Sequence, residues 1–205
     1  GDAAHDRLLD ALGFAVALGG QGWRWLVIGL AYIKRGGLQK RVHAHALVTD
    51  GVFAHVRNPL YGGNLLIIAG LLMVHHAPAV YLLGGSYFLL TYVAIVAAEE
   101  AYLGARFPAY PAYCRAVPRW LPRFSGLGAT LAGMRFNWRR AALKDSASCA
   151  TWVLTGLGIL ALEAWHFGGA GALAARSPGL LAGAALTVGA ALFILWLKKR
   201  GVLAG

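Results

Sequence analysis

The feature that most constrains the fold is a set of long apolar stretches separated by polar connections. A helix that crosses a membrane needs ~20 mostly apolar residues, and windows of about this length lie near residues 9–33, 59–76, 78–98, 148–167 and 180–197. In lipid only helices and closed barrels satisfy every backbone polar group. The apolar runs are continuous rather than alternating, which argues against barrel strands. We therefore predict an all-α, polytopic membrane protein with about five transmembrane helices.

Composition and charge agree with a membrane protein. Hydrophobic residues make up 59% of the chain, whereas a soluble domain has ~45–50%. The net charge of +11 would indicate nucleic acid in a soluble protein, but here most of the cations lie in alternate connections, and the other two connections hold one arginine between them, Arg176. The cations of the alternate connections are Lys34, Arg35, Lys40, Arg41 and Arg57; then Arg106, Arg115, Arg119, Arg123, Arg135, Arg139, Arg140 and Lys144; then Lys198, Lys199 and Arg200. The positive-inside rule places the N-terminus outside and the C-terminus in the cytoplasm.

The expected organisation follows from these spans and connections. Residues 1–33 form an N-terminal transmembrane segment, and residues 34–123 form a two-span hairpin with its polar flanking segments. An amphipathic cytoplasmic segment, 124–147, and a second two-span hairpin, 148–205, complete the chain. The first residue is Gly1 rather than methionine, which leaves a further upstream segment open. We expect the bilayer as a partner, no nucleic acid, and a bacterial inner-membrane location.

No metal site or disulfide is expected. Cys114 and Cys149 lie in the predicted cytoplasmic stretch, where disulfides are rare, and neither has a second ligand at zinc spacing. The adjacent His75 and His76 cannot both face one point on a helix, so we interpret them as an outer-surface loop. Glu163, near the outer end of its span, is interpreted as interfacial.

Small and charged residues inside the spans have ordinary structural explanations. Arg24 is interpreted as a packed or snorkelling side chain in a kinked first helix. The patterns Gly156-x-Gly158 and Gly179-x-x-x-Gly183 favour close helix packing, within the chain or in a homo-oligomer.

The first polar motif is Arg57-Asn58-Pro59, followed by Gly62-Gly63, where the second span begins. Asn is a preferred N-cap and Pro suits the first helical position, so the dipeptide could simply start the helix. The unpaired backbone N–H groups of a helix start also favour an anion, and Arg57 adds a cation beside them. The two glycines would let a bulky ligand approach the backbone.

The second motif is the pair Glu99-Glu100 near the end of the third span. There the helix dipole disfavours each carboxylate by ~0.3–1 kcal/mol, and the two repel one another. The compensating cation could be Arg106, Arg119, or a ligand such as S-adenosylmethionine, which carries an ammonium and a sulfonium. A short hairpin returns both motifs to one face, ~8–10 Å apart at helix packing distance. This separation suits the amino-acid end of that cofactor.

In order and spacing, these motifs resemble those of integral-membrane methyltransferases typified by isoprenylcysteine carboxyl methyltransferase and the phospholipid N-methyltransferases. The resemblance covers about residues 34–123, with Asn58 where histidine is common. The matching residues are Arg57, Asn58, Pro59 and Tyr61, then Glu99 and Glu100, then Tyr110, Tyr113, Val117, Pro118, Arg119 and Trp120. The resemblance implies a cytoplasmic-face site for S-adenosylmethionine and a lipid-like acceptor that enters sideways from the membrane. It leaves the last two spans unexplained.

The predicted activity is methyl transfer from S-adenosylmethionine to a membrane-embedded acceptor: a lipid headgroup amine, an isoprenyl-thioether carboxylate or a small hydrophobic molecule. The cofactor-binding candidates are Arg57, Asn58, Pro59, Tyr61, Gly62, Gly63, Glu99, Glu100, Tyr110 and Tyr113. An amine acceptor must lose a proton, for which Glu99 or Glu100 is the candidate base, and a carboxylate or thiolate needs a cation, for which Arg119 is the candidate.

Two other classes stay open at this stage. An NADPH-dependent membrane reductase of the sterol type could use Arg57 and the basic connector to contact phosphates. A small-residue scaffold or transporter would need no cofactor, but it would leave Glu99-Glu100 unexplained.

Overall fold

The computed structural model describes residues 3–31 and 46–203, and every regular element in these two ranges is helical. The elements are α1 (Ala3–Leu30), a short 3₁₀ helix (Gly51–Ala54), α2 (Pro59–His75), α3 (Pro78–Arg106), α4 (Tyr110–Ala116), α5 (Leu127–Ala132) and α6 (Trp138–Lys199). The predicted all-α class is confirmed. The first part of the predicted basic connector (34–58), residues 34–45 with Lys34, Arg35, Lys40 and Arg41, lies outside the described residues.

Two of these helices, α3 and α6, are long and apolar enough to cross a membrane, with mean hydropathies of 1.8 and 2.3 over their most apolar windows. The α2 helix is also apolar but has only 17 residues. In α1, Gln21 and Arg24 interrupt the apolar run. The count of five spans is therefore not confirmed, although the predicted windows fall on these four helices.

The outer surfaces of α3 and α6 are apolar. Five leucines on these helices, Leu82, Leu83, Leu90, Leu181 and Leu186, are between 67% and 75% exposed. Many large apolar side chains exposed along two long helices are unfavourable in water and suit contact with lipid. The exposed leucines agree with a membrane protein.

Glycines bring α1 and α2 into direct contact. A Cβ atom on Gly70 would lie 2.3 Å from the carbonyl oxygen of Gly13, and one on Gly20 would lie 2.7 Å from that of Gly63. Gly13 and Gly20 are seven residues apart on α1. Their partners, Gly70 and Gly63, are seven residues apart on α2 in the opposite order, as antiparallel helices require. Only glycine permits backbones to approach so closely, and α2 is thereby fixed against α1.

The glycines singled out in the last two predicted spans pack less closely. A Cβ on Gly156 would meet the ring of Phe14 at 2.9 Å, so this residue does allow α6 to approach α1. At Gly158 and Gly179 a Cβ would find no heavy atom within 4 Å among the described residues. The predicted homo-oligomer therefore stays a prediction.

The α6 helix is interrupted at Gly169, whose φ of 65° and ψ of −163° are not helical. Such a backbone conformation favours glycine. The interruption separates the two predicted C-terminal spans. The helix starts at Trp138, with the Asn137 side chain accepting a hydrogen bond from the Arg140 backbone at 2.9 Å. It therefore runs through the boundary expected at residue 147.

Candidate active site

The two predicted motif segments come together at the start of α2. The backbone N–H of Arg57 donates to the carbonyl of Pro118 at 2.9 Å. One residue later, the Asn58 side-chain nitrogen donates to the carbonyl of Arg119 at 3.2 Å. The chain that follows α4 is therefore held directly beside the N-terminus of α2.

Glu100 lies at the centre of this junction between two guanidinium groups. Arg57 Nη1 donates to Glu100 Oε1 at 2.8 Å, and Arg119 Nε donates to the same oxygen at 3.1 Å. Arg119 Nη2 binds the other carboxylate oxygen. Bidentate arginine–carboxylate contacts of this kind are geometrically specific. Of the compensating cations considered, Arg119 is the one found here, whereas Arg106 lies over the ring of Phe107 at 6.0 Å.

The position of the acidic pair on its helix corrects one expectation. We expected Glu99 and Glu100 to lie near a helix end, where the dipole disfavours them, but α3 continues to Arg106. The end effect is limited to the last turn of a helix. The negative charges of Glu99 and Glu100 are therefore compensated by side-chain partners, and the helix dipole has little effect on them.

Glu99 faces a different set of groups. Consecutive residues on a helix point ~100° apart, and Glu99 Oε1 accepts a hydrogen bond from the Tyr61 hydroxyl at 2.7 Å. The Tyr61 ring in turn contacts that of Tyr92, with 5.4 Å between centroids. One carboxylate thus faces arginines and the other faces a tyrosine pair.

The start of α2 differs from the predicted anion site. Pro59 occupies the first helical turn as expected, but the Asn58 side chain does not cap the helix. The Asn58 carbonyl accepts the backbone N–H groups of Tyr61 at 3.2 Å and Gly62 at 3.4 Å. These two donors already have an acceptor within the chain, whereas the third predicted donor, the Leu60 N–H, and the cation of Arg57 stay as the predicted anion-binding groups at this end.

The two glycines of the motif have separate surroundings. A Cβ on Gly63 would lie 2.6 Å from Arg24 Cγ and 2.9 Å from the carbonyl of Gly20, so helix packing explains this glycine. A Cβ on Gly62 would meet only Trp23 Nε1, at 4.0 Å. Of the pair, Gly62 is the one that leaves room beside the backbone.

The aromatic segment lines the other side of the junction. Tyr110 is 5% exposed, and its ring centroid lies 6.0 Å from that of Tyr113. The Tyr113 hydroxyl donates to the Phe53 carbonyl at 2.7 Å. Burial, followed by the influence of Cys114 and Glu100, raises the pKa of the Tyr110 phenol. This hydroxyl therefore stays protonated at neutral pH.

Arg57 has a buried hydrogen-bond donor that a bound cofactor could use. Its Nη1 also donates to Cys114 Sγ at 2.8 Å, yet its buried Nε has no hydrogen-bond partner among the described residues. Leaving a buried polar donor unpaired costs ~1–3 kcal/mol, and more for a charged group. A carboxylate ligand would satisfy this donor, and the neighbouring carboxylates would suit an ammonium or sulfonium. The residues present therefore fit the amino-acid end of S-adenosylmethionine.

A second polar cluster was not predicted from the sequence. Arg24 binds the fully buried Asp145 through Nε and Nη2 and binds Asn64 through Nη1. Gln21 also donates to Asp145 and accepts from Trp152 Nε1 at 2.8 Å. Arg24 is thus packed rather than snorkelling. The sequence indicates Arg24 as an unusual residue within an apolar helix. Its partner Asp145 lies 121 residues away, so the pairing could not be predicted from local spacing.

Beside this cluster is a cleft of about 380 Å³ between α1, α2, α3 and α6. Its lining is formed by Arg24, Asn64, Ile67, Ile68, Tyr92, Ala147, Ser148, Thr151 and Trp152. Tyr92 belongs to this lining and also contacts Tyr61, the donor to Glu99. The cleft therefore adjoins the acidic pair through two tyrosines.

The apolar helices and the junction of two arginines with an acidic pair are compatible with a membrane enzyme of the predicted class. Residues 15–109, just under half of the chain, match the model of the phospholipid methyltransferase family. The predicted resemblance is confirmed. The matched region begins earlier than expected, inside α1, and ends before α4.

Two curated bacterial proteins are similar to part of the chain. The cobalt-zinc-cadmium resistance protein CzcN of Cupriavidus metallidurans is 37% identical over 81 residues, which are 40% of this chain and 38% of that protein. The nickel-cobalt-cadmium resistance protein NccN of Alcaligenes xylosoxydans xylosoxydans is 33% identical over 79 residues, which are 38% of this chain and 37% of that protein. The similarity therefore spans less than two fifths of each relative. No solved structure matches the chain.

Proposed function

We propose that the protein transfers a methyl group from S-adenosylmethionine to an amphiphilic acceptor held in the membrane. The observation that carries this proposal is the junction in which Arg57 and Arg119 enclose Glu100 while the buried Arg57 Nε keeps a free donor. The family of residues 15–109 supports the reaction class.

In this proposal the cofactor's amino-acid end lies at the junction. Arg57 Nε donates to its carboxylate, and Glu99, which has no arginine on it in the hydrogen bonds described above, faces its cationic groups. The rings of Tyr110 and Tyr113 shape the adenosine pocket, since aromatic side chains stack well while offering polar hydroxyls. When bound, S-adenosylmethionine supplies an electrophilic methyl group on a sulfonium.

The two carboxylates have different roles. Both oxygens of Glu100 are occupied by arginines, so Glu100 fixes the junction and orients its neighbours. Glu99 accepts a hydrogen bond from the Tyr61 hydroxyl. We assign Glu99 the role of the base that takes the proton released by an amine acceptor. General base catalysis of this kind contributes ~10²–10⁴-fold, and correct orientation of the reactants ~7–11 kcal/mol.

The acceptor is proposed to place its apolar part in the cleft beside Tyr92. The lining combines Ile67 and Ile68 with the hydroxyls of Ser148 and Thr151, which suits an amphiphile. A location in a bacterial inner membrane, with the junction facing the cytoplasm, remains our proposal from the distribution of lysines and arginines.

Calorimetric titration of the full chain in detergent tests this proposal and its rivals. We expect S-adenosylmethionine and its demethylated product to bind and NADPH not to bind. Arg57→Gln should lower the binding affinity for both of these ligands at least tenfold. Arg115→Gln, which removes an exposed arginine of the neighbouring α4 helix, is the matched control and should bind as the wild type does.

The other outcomes contradict the proposal. Binding of NADPH without S-adenosylmethionine would favour the sterol-type reductase. Binding of none of the three ligands would favour a scaffold or transporter. Equal binding by wild type and Arg57→Gln would remove the junction as the cofactor site.

A further inference from the structure

The C-terminus of α2 carries a strained histidine. His76 has a φ of 56° and is the non-glycine residue with positive φ among residues 3–31 and 46–203. A left-handed conformation brings Cβ close to the following carbonyl oxygen and is unfavourable for L-residues. His76 is the C-cap residue of α2, where left-handed residues are common, and its backbone N–H donates to the Met73 carbonyl at 3.3 Å.

Two carboxylates from other helices meet this histidine. Asp10 Oδ1 of α1 lies 3.2 Å from His76 Nε2, and Glu163 Oε1 of α6 lies 3.7 Å from His76 Nδ1. Each of the three side chains offers an atom within 4.8 Å of the others. The sequence indicated an exposed loop and an interfacial glutamate, whereas the structure brings these side chains together, at most 23% exposed.

The contacts among these atoms have the distances of ion pairs, but the orientation of the groups is not that of a hydrogen bond. Asp10 Oδ1, His76 Nε2 and Glu163 Oε1 are all buried and have no hydrogen-bond partner among the described residues. The neighbouring His75 Nδ1 is also buried and has no hydrogen-bond partner among the described residues. Buried polar atoms are nearly always paired, so several unpaired ones at a single place indicate a missing ligand or ion.

We propose that Asp10, His76 and Glu163 bind one divalent metal ion of the zinc and cobalt class. One imidazole and two carboxylates are ligands that such ions accept, with a fourth position filled by water. Ligand atoms ~2.0–2.2 Å from a shared zinc lie ~3.3–3.6 Å apart. Side chains already within 4.8 Å of one another need only a small rotation to reach this geometry.

The charges of the cluster agree with a divalent cation. Two carboxylates balance the charge of the ion, and buried carboxylates require such compensation. The other cationic groups that act on them are Arg176 and His75. A protonated His76 bridging both carboxylates without a metal is the rival arrangement, and a direct metal titration separates the two.

This site is distinct from the methyltransferase junction. His76 follows the last residue of α2, and Asn58 precedes the first, so the 17 residues of the helix separate them. At ~1.5 Å per residue this is ~25 Å. The ion would join α1, α2 and α6 at the far end of the bundle, and the proposal does not depend on the proposed function.

Titration of the full chain with Co²⁺ and Zn²⁺ tests the site. The protein is purified in detergent without an affinity tag and treated with a chelator before the titration. We expect one Co²⁺ per chain with the visible absorption of a ligand-bound ion, displaced by Zn²⁺. Glu163→Gln and His76→Gly should weaken binding at least tenfold. Glycine adopts the left-handed conformation without strain, so the second variant removes the imidazole and keeps the turn.

His166→Ala is the matched control, because His166 is an exposed histidine on α6 three residues after Glu163. It should bind Co²⁺ as the wild type does. A wild-type chain that binds neither ion would overturn the proposal. So would equal binding by Glu163→Gln and the wild type, or loss of binding in His166→Ala.

Discussion

Two arginine–carboxylate clusters in this protein use the same chemistry in different surroundings. At the junction, Glu100 is held by Arg57 and by Arg119, whose side chain is 44% exposed. Between α1 and α6, Arg24 holds Asp145, which is fully buried. The first cluster is open on one side, whereas the carboxylate of the second is fully buried, so we call Arg24–Asp145 the enclosed pair, although Arg24 also lines the cleft.

The difference indicates what each cluster is for. At the junction, the buried Arg57 Nε has no protein partner among the described residues, which leaves a donor for a ligand. In the enclosed cluster, Gln21 and Asn64 complete the contacts of the ion pair, which ties α6 to α1 and α2. We therefore interpret the junction as a binding site and the enclosed pair as a structural contact. The predictions below test this division.

The largest effect is expected at the enclosed pair. Asp145→Ala leaves Arg24 buried without its carboxylate, and breaking a buried ion pair costs ~3–5 kcal/mol. Thermal unfolding in detergent, followed by circular dichroism, should show a clearly lowered midpoint. Asp50→Ala, at an exposed aspartate whose side chain caps no helix, is the control. If Asp145→Ala melts with the wild type, the pair is not structural.

A change at Glu99 should lower the turnover rate without changing the stability of the fold. Glu99→Gln keeps the shape of the side chain and its contact with Tyr61 but removes the proposed base. With an amine acceptor we expect turnover to fall ~10²–10⁴-fold at an unchanged unfolding midpoint. Turnover equal to the wild type, measured with the labelled methyl group, would exclude Glu99 as the base.

Arg119→Lys probes the geometry of the junction. Arginine places two donors on Glu100, and lysine keeps the charge but loses the fork. We expect S-adenosylmethionine binding to persist while turnover drops about tenfold, ~1.4 kcal/mol. Tyr113→Phe should be milder. Near-wild-type turnover of Arg119→Lys would mean that the ion pair with Glu100 merely holds the segment in place.

The smallest effect concerns Tyr110 at alkaline pH. Its pKa is raised from the ordinary value of 10.0, chiefly by burial. The folded chain therefore keeps this proton at pH values where the unfolded chain releases it. Stability linked to Tyr110 is fully present below pH 10.0 and is lost as the pH rises beyond it. Tyr110→Phe should show a weaker decline in unfolding midpoint above this pH, and identical declines would contradict the assignment.

The junction could be predicted from the sequence because Arg57 lies at the start of one helix and the acidic pair lies in the next helix of a short hairpin. Arg57 precedes α2, the acidic pair lies in α3, and the short connection near residue 77 returns both to one face. Periodicity and composition are sufficient for that argument. The extension of α3 to Arg106 has a signal in Pro108, since residues before proline leave the helical region.

The other contacts could not be predicted because they depend on how α6 packs. The pairing of Arg24 with Asp145 joins positions 121 residues apart, and that of Asp10 with Glu163 needs three helices to meet at one end. Neither has a spacing that can be read along the chain. The α1–α2 glycine contacts do have a regular seven-residue spacing, and this signal was missed.

The central claim is that S-adenosylmethionine binds at the junction rather than in the enclosed region. Ultraviolet cross-linking of the labelled cofactor to the full chain, followed by peptide mapping, tests this most directly. We predict label in peptides that contain Arg57 or the segment from Glu99 to Arg119, displaced by the demethylated product. Label confined to the α6 peptide around Asp145 and Trp152, or no displaceable label, would contradict the claim.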